Sequence, residues 1–193
     1  MCNREKLFFD LEFTRLAPDA QPISLGIVWK NDITFYAEFN DYNYTHVSEW
    51  LRENVIDNLD LKSQPDNTCI EAGHGIKSYK VKGDKEFISQ YLREWIGQFE
   101  KDVEFWGDCL AWDWMLLSDL LCIYDAQHYP TLPENVYYIP FDIATIMRII
   151  GMDPDISREE LVGLKGCSKH NSLYDAMVIR ECWHEINRKK LIL

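Results

Sequence analysis

The segment Leu7-Phe8-Phe9-Asp10-Leu11-Glu12 constrains this chain more than any other. Side chains of a strand alternate between faces, so in an extended segment Asp10 and Glu12 point the same way. Leu7, Phe8 and Phe9 read as a buried central strand, which leaves few solvent-facing positions for two acids. Neighbouring carboxylates repel each other and weaken strand pairing, so their presence at the end of an apolar strand needs a reason. The ordinary alternative is an exposed edge or the solvent face of a hairpin. In a chain with 32 acidic residues, Asp-x-Glu alone does not decide between the two.

At 193 residues, 47% hydrophobic and 27% charged, the chain is long enough for one globular domain over residues 1–193 with a substantial core. No apolar run is long enough to span a bilayer, and the polar start Met-Cys-Asn-Arg-Glu-Lys is not a secretion signal. These features predict a cytoplasmic protein with no membrane partner. The six cysteines, Cys2, Cys69, Cys109, Cys122, Cys167 and Cys182, are scattered without a Cys-x-x-Cys pair. That spacing suits reduced, buried thiols rather than a zinc knuckle or a disulfide framework. The net charge of −12 argues against broad, non-specific nucleic-acid binding. An acidic cleft can still take a nucleic acid when bound divalent cations invert its local charge.

Element order predicts a mixed α/β fold. Leu7–Phe13, Pro22–Lys30 and Ile33–Phe39 read as an antiparallel meander of three strands, the last two joined by a tight turn at Asn31-Asp32. Residues 45–59 have helical spacing, with Val47, Trp50, Leu51 and Val55 on the apolar face. A polar segment rich in Gly and Lys reads as a surface loop, and residues 84–100 as an amphipathic helix. Val103–Gly107 is a short strand running into a helix over residues 111–124. Asn135–Pro140 reads as a further strand, giving five in all, and Phe141–Ile150 as a helix stopped by Gly151. Ser157 opens a short helix through a capping box, and residues 173–190 form a last amphipathic helix.

Three acidic constellations emerge. Asp10 and Glu12 are the first. Asp113 is the second, at the junction of a strand with a helix, where an ordinary acid of the first helical turn would also stand. Asp108, nearer the strand end, is its rival. The third is His170-Asn-Ser-Leu-Tyr-Asp175. With Ser172 as N-cap, Asp175 falls at a capping-box position, and His170 lies in the loop just ahead, beside Gly166, Lys165 and Lys169.

In this order FFDLEF, WGDCLAWDW and HNSLYDA resemble the motifs of the DEDDh 3′–5′ exonucleases, whose fold is ribonuclease H-like. The opening DLEFT…PISLGIV and the compact length look most like the small polyadenylate-specific 3′-exoribonucleases of bacteria and phages. The second motif departs from the family, which often carries Asn or His where this chain has Asp108 and Cys109. The resemblance implies a ribonuclease H-like mixed five-stranded sheet with flanking helices. It also implies two Mg²⁺ or Mn²⁺ ions held by Asp10, Glu12, Asp113 and Asp175. His170 would be the general base toward the attacking water, and nucleoside 5′-monophosphates would leave from a single-stranded 3′ end, RNA favoured over DNA. Phe13 and Trp112 beside the motifs are candidates to stack on terminal bases, with core packing as the competing role, and Thr14 is a candidate sugar contact. A homodimer and a monomer are both compatible with the sequence.

Overall fold

The computed structural model describes residues 4–127, 129–164 and 170–190, so Cys2, Cys167, Lys165, Gly166 and Lys169 lie outside the described residues. Its centre is the predicted meander. β1 (Glu5–Phe13), β2 (Pro22–Val28) and β3 (Thr34–Phe39) pair antiparallel in the spatial order β3-β2-β1. Asn31 and Asp32 turn the chain between β2 and β3 with φ of 59° and 55°, a left-handed conformation that Asn and Asp tolerate better than most residues.

β1 also pairs in parallel with β6 (Val103–Gly107), so both its edges are occupied at its apolar end. Leu7, Phe9 and Leu11 enter the larger hydrophobic core, with Phe35, Trp95, Phe105 and Leu117. Phe8 enters a second core on the opposite face, under α6 (Ser172–Lys190), with Val178, Ile179, Cys182 and Ile186. α2 (Lys85–Ile96) and α3 (Ala111–Leu121) cover the first face. α2 starts at Asp84, whose carboxylate accepts from the amide of Phe87.

Among the described residues the sheet has seven strands rather than five, in the order β4 (Thr68–Ala72), β5 (Ser78–Gly83), β3, β2, β1, β6 and β9 (Phe141–Asp142). The polar segment expected as a loop supplies β4 (Thr68–Ala72) and β5 (Ser78–Gly83), a hairpin whose β5 pairs in parallel with β3. Tyr79 and Val81 are buried and alternate with half-buried Lys80 and Lys82, and the charge density hides this period of two from composition-based reading. Asn135–Pro140 is not a strand, since Val136 makes only an isolated bridge to Val103. β9 is instead Phe141–Asp142, taken from the stretch predicted helical. Asp142 then caps α4 (Ile143–Ile149), accepting from the amides of Ala144 and Thr145, and Gly151 ends that helical segment at φ 77°. Two further strands, β7 (Ile123–Tyr124) and β8 (Pro130–Thr131), form a separate small hairpin.

The single helix expected over residues 45–59 is broken. Only α1 (Glu49–Asn54) is α-helical, with 3₁₀ turns at 44–46 and 56–58. Asn54 and Asn58 turn their side-chain amides onto the carbonyls of Trp50, Glu53 and Asn54, competing with the helical ladder. Trp50, within α1, is 51% exposed rather than in the core. α5 (Arg158–Val162) follows the predicted capping box, Ser157 accepting from the amide of Glu160.

One glycine positions the site. Gly26 stands opposite Asp10 in the β1–β2 register. A Cβ there would lie 2.4 Å from the backbone of Ser172 and Leu173 in α6. The first turn of α6 therefore sits directly on bare strand backbone, an approach that no other residue permits. Gly26→Ala is expected to cost about 2–3 kcal/mol in urea unfolding, because the contacted atoms are main chain and cannot rotate away. Wild-type stability in that variant would contradict this packing.

Candidate active site

Asp10 and Glu12 project from β1 toward α6, whose first turn supplies Asp175. One ligand oxygen from each of the three lies within 4.8 Å of the others. The turn is set by Asn171, not by Ser172 as the sequence suggests: the Asn171 carbonyl oxygen Oδ1 accepts from the amides of Leu173 and Tyr174 at 3.1 Å each. Ser172 is buried and donates from Oγ to Ser24 Oγ of β2 at 3.0 Å, fixing the helix start to the sheet. Asp175 then lies one position further into the helix than a capping box would put it, with its amide bonded to the Asn171 carbonyl at 2.9 Å.

Asp113 stands in the first turn of α3, and its Oδ1 accepts from the amide of Leu11, between Asp10 and Glu12, at 3.0 Å. The β1–β6 pairing ends at Phe8, which leaves that amide to the carboxylate. Asp108 is held elsewhere. It forms a bidentate ion pair with Arg158, Nε–Oδ2 at 2.7 Å and Nη2–Oδ1 at 2.9 Å. The two acids, alternatives in the sequence, thus have different partners: Asp113 is bonded to the acidic strand and Asp108 to a cation.

His170 has φ 66° and donates its backbone amide to Asp175 Oδ2 at 3.1 Å. Its Nδ1 lies 3.9 Å from Glu12 Oε1, and its ring meets that of Trp50 edge-on at 4.7 Å between centroids. The contact with Trp50 was missed in the sequence because helical spacing assigned that residue to a core face. Of the proposed substrate contacts, Thr14 is buried, with its hydroxyl accepting from the amide of Gln21 at 3.1 Å to close the β1–β2 connection. Phe13 packs against the larger core, and Trp112 donates from Nε1 to the carbonyl of Ala17 at 3.2 Å, with its ring half-buried.

The carboxylates perturb one another. Burial, then repulsion from Asp175 and Asp113, pushes Glu12 up to about 8. Asp10 is raised well above the ordinary range by burial and by Asp113, Asp175, Glu12 and Asp108. Burial raises Asp113 to about 6 against the opposing hydrogen bond from Leu11. All the donors in this cluster are carboxylate oxygens, which suits a hard divalent cation.

No family model and no curated protein matches the sequence. The fold is similar to that of the solved Neurospora crassa Pan2 catalytic unit (protease and nuclease domain), with a TM-score of 0.52 and 16% identity. The match covers 95% of this chain and 27% of that one, so the chain spans little more than a quarter of the neighbour's length. The likeness is one of fold: a ribonuclease H-like α/β sheet with an antiparallel meander and flanking helices. Among the described residues, no helix is long and apolar enough to cross a membrane.

The raised carboxyls have a defined consequence for the metal-free protein. An unfolded Glu12 ionises near 4.5, whereas the folded one keeps its proton up to about 8. Between those values the unfolded state binds fewer protons, so stability present at pH 4.5 is lost as pH rises toward 8. Denaturation in a metal chelator should therefore show a less stable protein at pH 8 than at pH 5. Glu12→Gln should recover roughly 1–3 kcal/mol at pH 8 and almost nothing at pH 5. Equal effects at both pH values would show that the carboxyl is not strained.

Proposed function

We propose that this protein is a metal-dependent 3′–5′ exonuclease that releases nucleoside 5′-monophosphates from single-stranded 3′ ends, with RNA as its preferred substrate. The observation that carries the reading is the convergence of Asp10, Glu12 and Asp175, from β1 and α6, with His170 at their edge. Support also comes from the fold, which is similar to that of a catalytic unit containing a nuclease domain. The preference for RNA rests on the resemblance of DLEFT and PISLGIV to the polyadenylate-specific exoribonucleases.

Asp10, Glu12 and Asp175, with Asp113 beside them, would hold Mg²⁺ or Mn²⁺, two ions in the family arrangement. When bound, the ions supply Lewis-acid stabilisation of charge on the phosphoryl oxygens. The remaining work falls to this chain's own groups. His170 would take the proton of the attacking water. Its imidazole is 41% exposed and so accessible to a substrate, and its backbone is tethered by Asp175. Glu12, near Nδ1, would orient the ring and leave Nε2 toward the water. Trp50 buttresses the ring on one side. The bond to Leu11 ties Asp113 to β1, between Asp10 and Glu12.

The test is a 5′-labelled single-stranded RNA, and the DNA of matched sequence, incubated with the protein and Mg²⁺. A ladder shortening from the 3′ end, with mononucleotide release faster on RNA, is expected. His170→Ala should lower kcat about 10²–10⁴-fold, and Asp10→Ala should abolish turnover. Internal cleavage, or undiminished turnover in Asp10→Ala, would contradict the proposal.

A further inference from the structure

The Arg158–Asp108 ion pair is not needed to build the carboxylate cluster, yet it is placed beside it. Asp108 and Arg158 share with His170 and Asp175 the lining of a cavity of about 480 Å³. Both side chains are mostly buried, at 21% and 16% exposure, and each guanidinium nitrogen has a partner, since Nη1 also donates to the carbonyl of Ile156 at 2.7 Å. The loop that carries Asp108 is pinned on its other side by the amide of Cys109, which donates to Asp142 Oδ1 at 3.1 Å. The Asp108 carboxylate is close enough to repel charge on both Asp10 and Asp113. Without a partner it would be a further negative charge at the cluster and a competing oxygen ligand. Arg158 is a permanent cation and a planar fork matched to one carboxylate, so it removes that charge at any working pH.

We propose that Arg158 and Asp108 form a specificity-determining pair that sets the affinity of the carboxylate cluster for divalent cations. The proposal rests on the reading of that cluster as a cation site. Its logic is electrostatic and gives effects of opposite sign. Removing the arginine charge frees Asp108 to attract a cation. Removing the aspartate charge leaves Arg158 uncompensated beside the site, to repel one. Removing both restores a neutral pair, with an amide in each place.

The experiment measures Mg²⁺ and Mn²⁺ binding to the full metal-free chain by calorimetry at low ionic strength, without substrate. Arg158→Gln should bind more tightly and Asp108→Asn more weakly, each by about fivefold or more. The double variant D108N/R158Q should return to within about threefold of wild type. Melting in a chelator reports whether each variant folds, and Arg158→Lys, which retains the charge, serves if Arg158→Gln does not; it should keep near-wild-type affinity. Shifts of the same sign in both single variants, no shift in either, or a double variant worse than both would overturn the proposal in favour of a purely structural ion pair. The readout needs no turnover. An ion-binding wild type that degrades no oligonucleotide would count against the nuclease reading alone, and an ion-binding wild type whose variants are unshifted would count against this proposal alone.

Discussion

The structure depends on one close approach: the first turn of α6 resting on Gly26, directly opposite Asp10. That contact brings residues some 150 positions apart in sequence into one cluster, and it does so with main-chain atoms, which allow little adjustment. Asn171 sets where the helix begins, and the Ser172–Ser24 bond fixes that start against β2. Asp175, one turn on, then faces Asp10 and Glu12. The opposite wall is tied by a single hydrogen bond from Leu11 to Asp113, made where β6 leaves the edge of β1.

Such a cluster opposes folding. Partly buried carboxylates without cations between them are costly, and burial together with mutual repulsion raises their proton affinities. The fold tolerates this because β1 is otherwise well placed, with Leu7, Phe9 and Leu11 in one core and Phe8 in another. A strand anchored on both faces and along both edges at its apolar half can carry a repulsive far end. Mutually repelling acids at the end of an otherwise well-packed strand are the pattern expected of a functional site.

Much of this was legible in the sequence, and the exceptions have physical causes. The apolar run at Leu7–Phe9 and the alternation in the next two strands were strong enough to place the meander and its acids. The β4–β5 hairpin was obscured because a strand with lysines on one face has the composition of a loop, although Tyr79 and Val81 keep a strand's period. β9 spans only two residues and merges into the cap of α4, which no periodicity can reveal. Trp50 was misplaced because helical spacing alone assigned it to a core face, whereas in α1 it is exposed and meets the ring of His170. The order of acids along the chain was visible, but the pairing of Asp108 with Arg158 was not, since the two are 50 residues apart and neither spacing nor charge pattern links them. Gly26 did leave a trace, as a lone glycine inside the apolar strand PISLGIV.

The central claim is that Asp10, Glu12 and Asp175 form a cation site. It is tested most directly by diffraction from Mn²⁺-soaked crystals at a wavelength where manganese scatters anomalously. An anomalous peak coordinated by carboxylate oxygens of all three residues is the predicted result. Full manganese occupancy elsewhere on the protein, with these three side chains turned apart and no peak between them, would contradict the account.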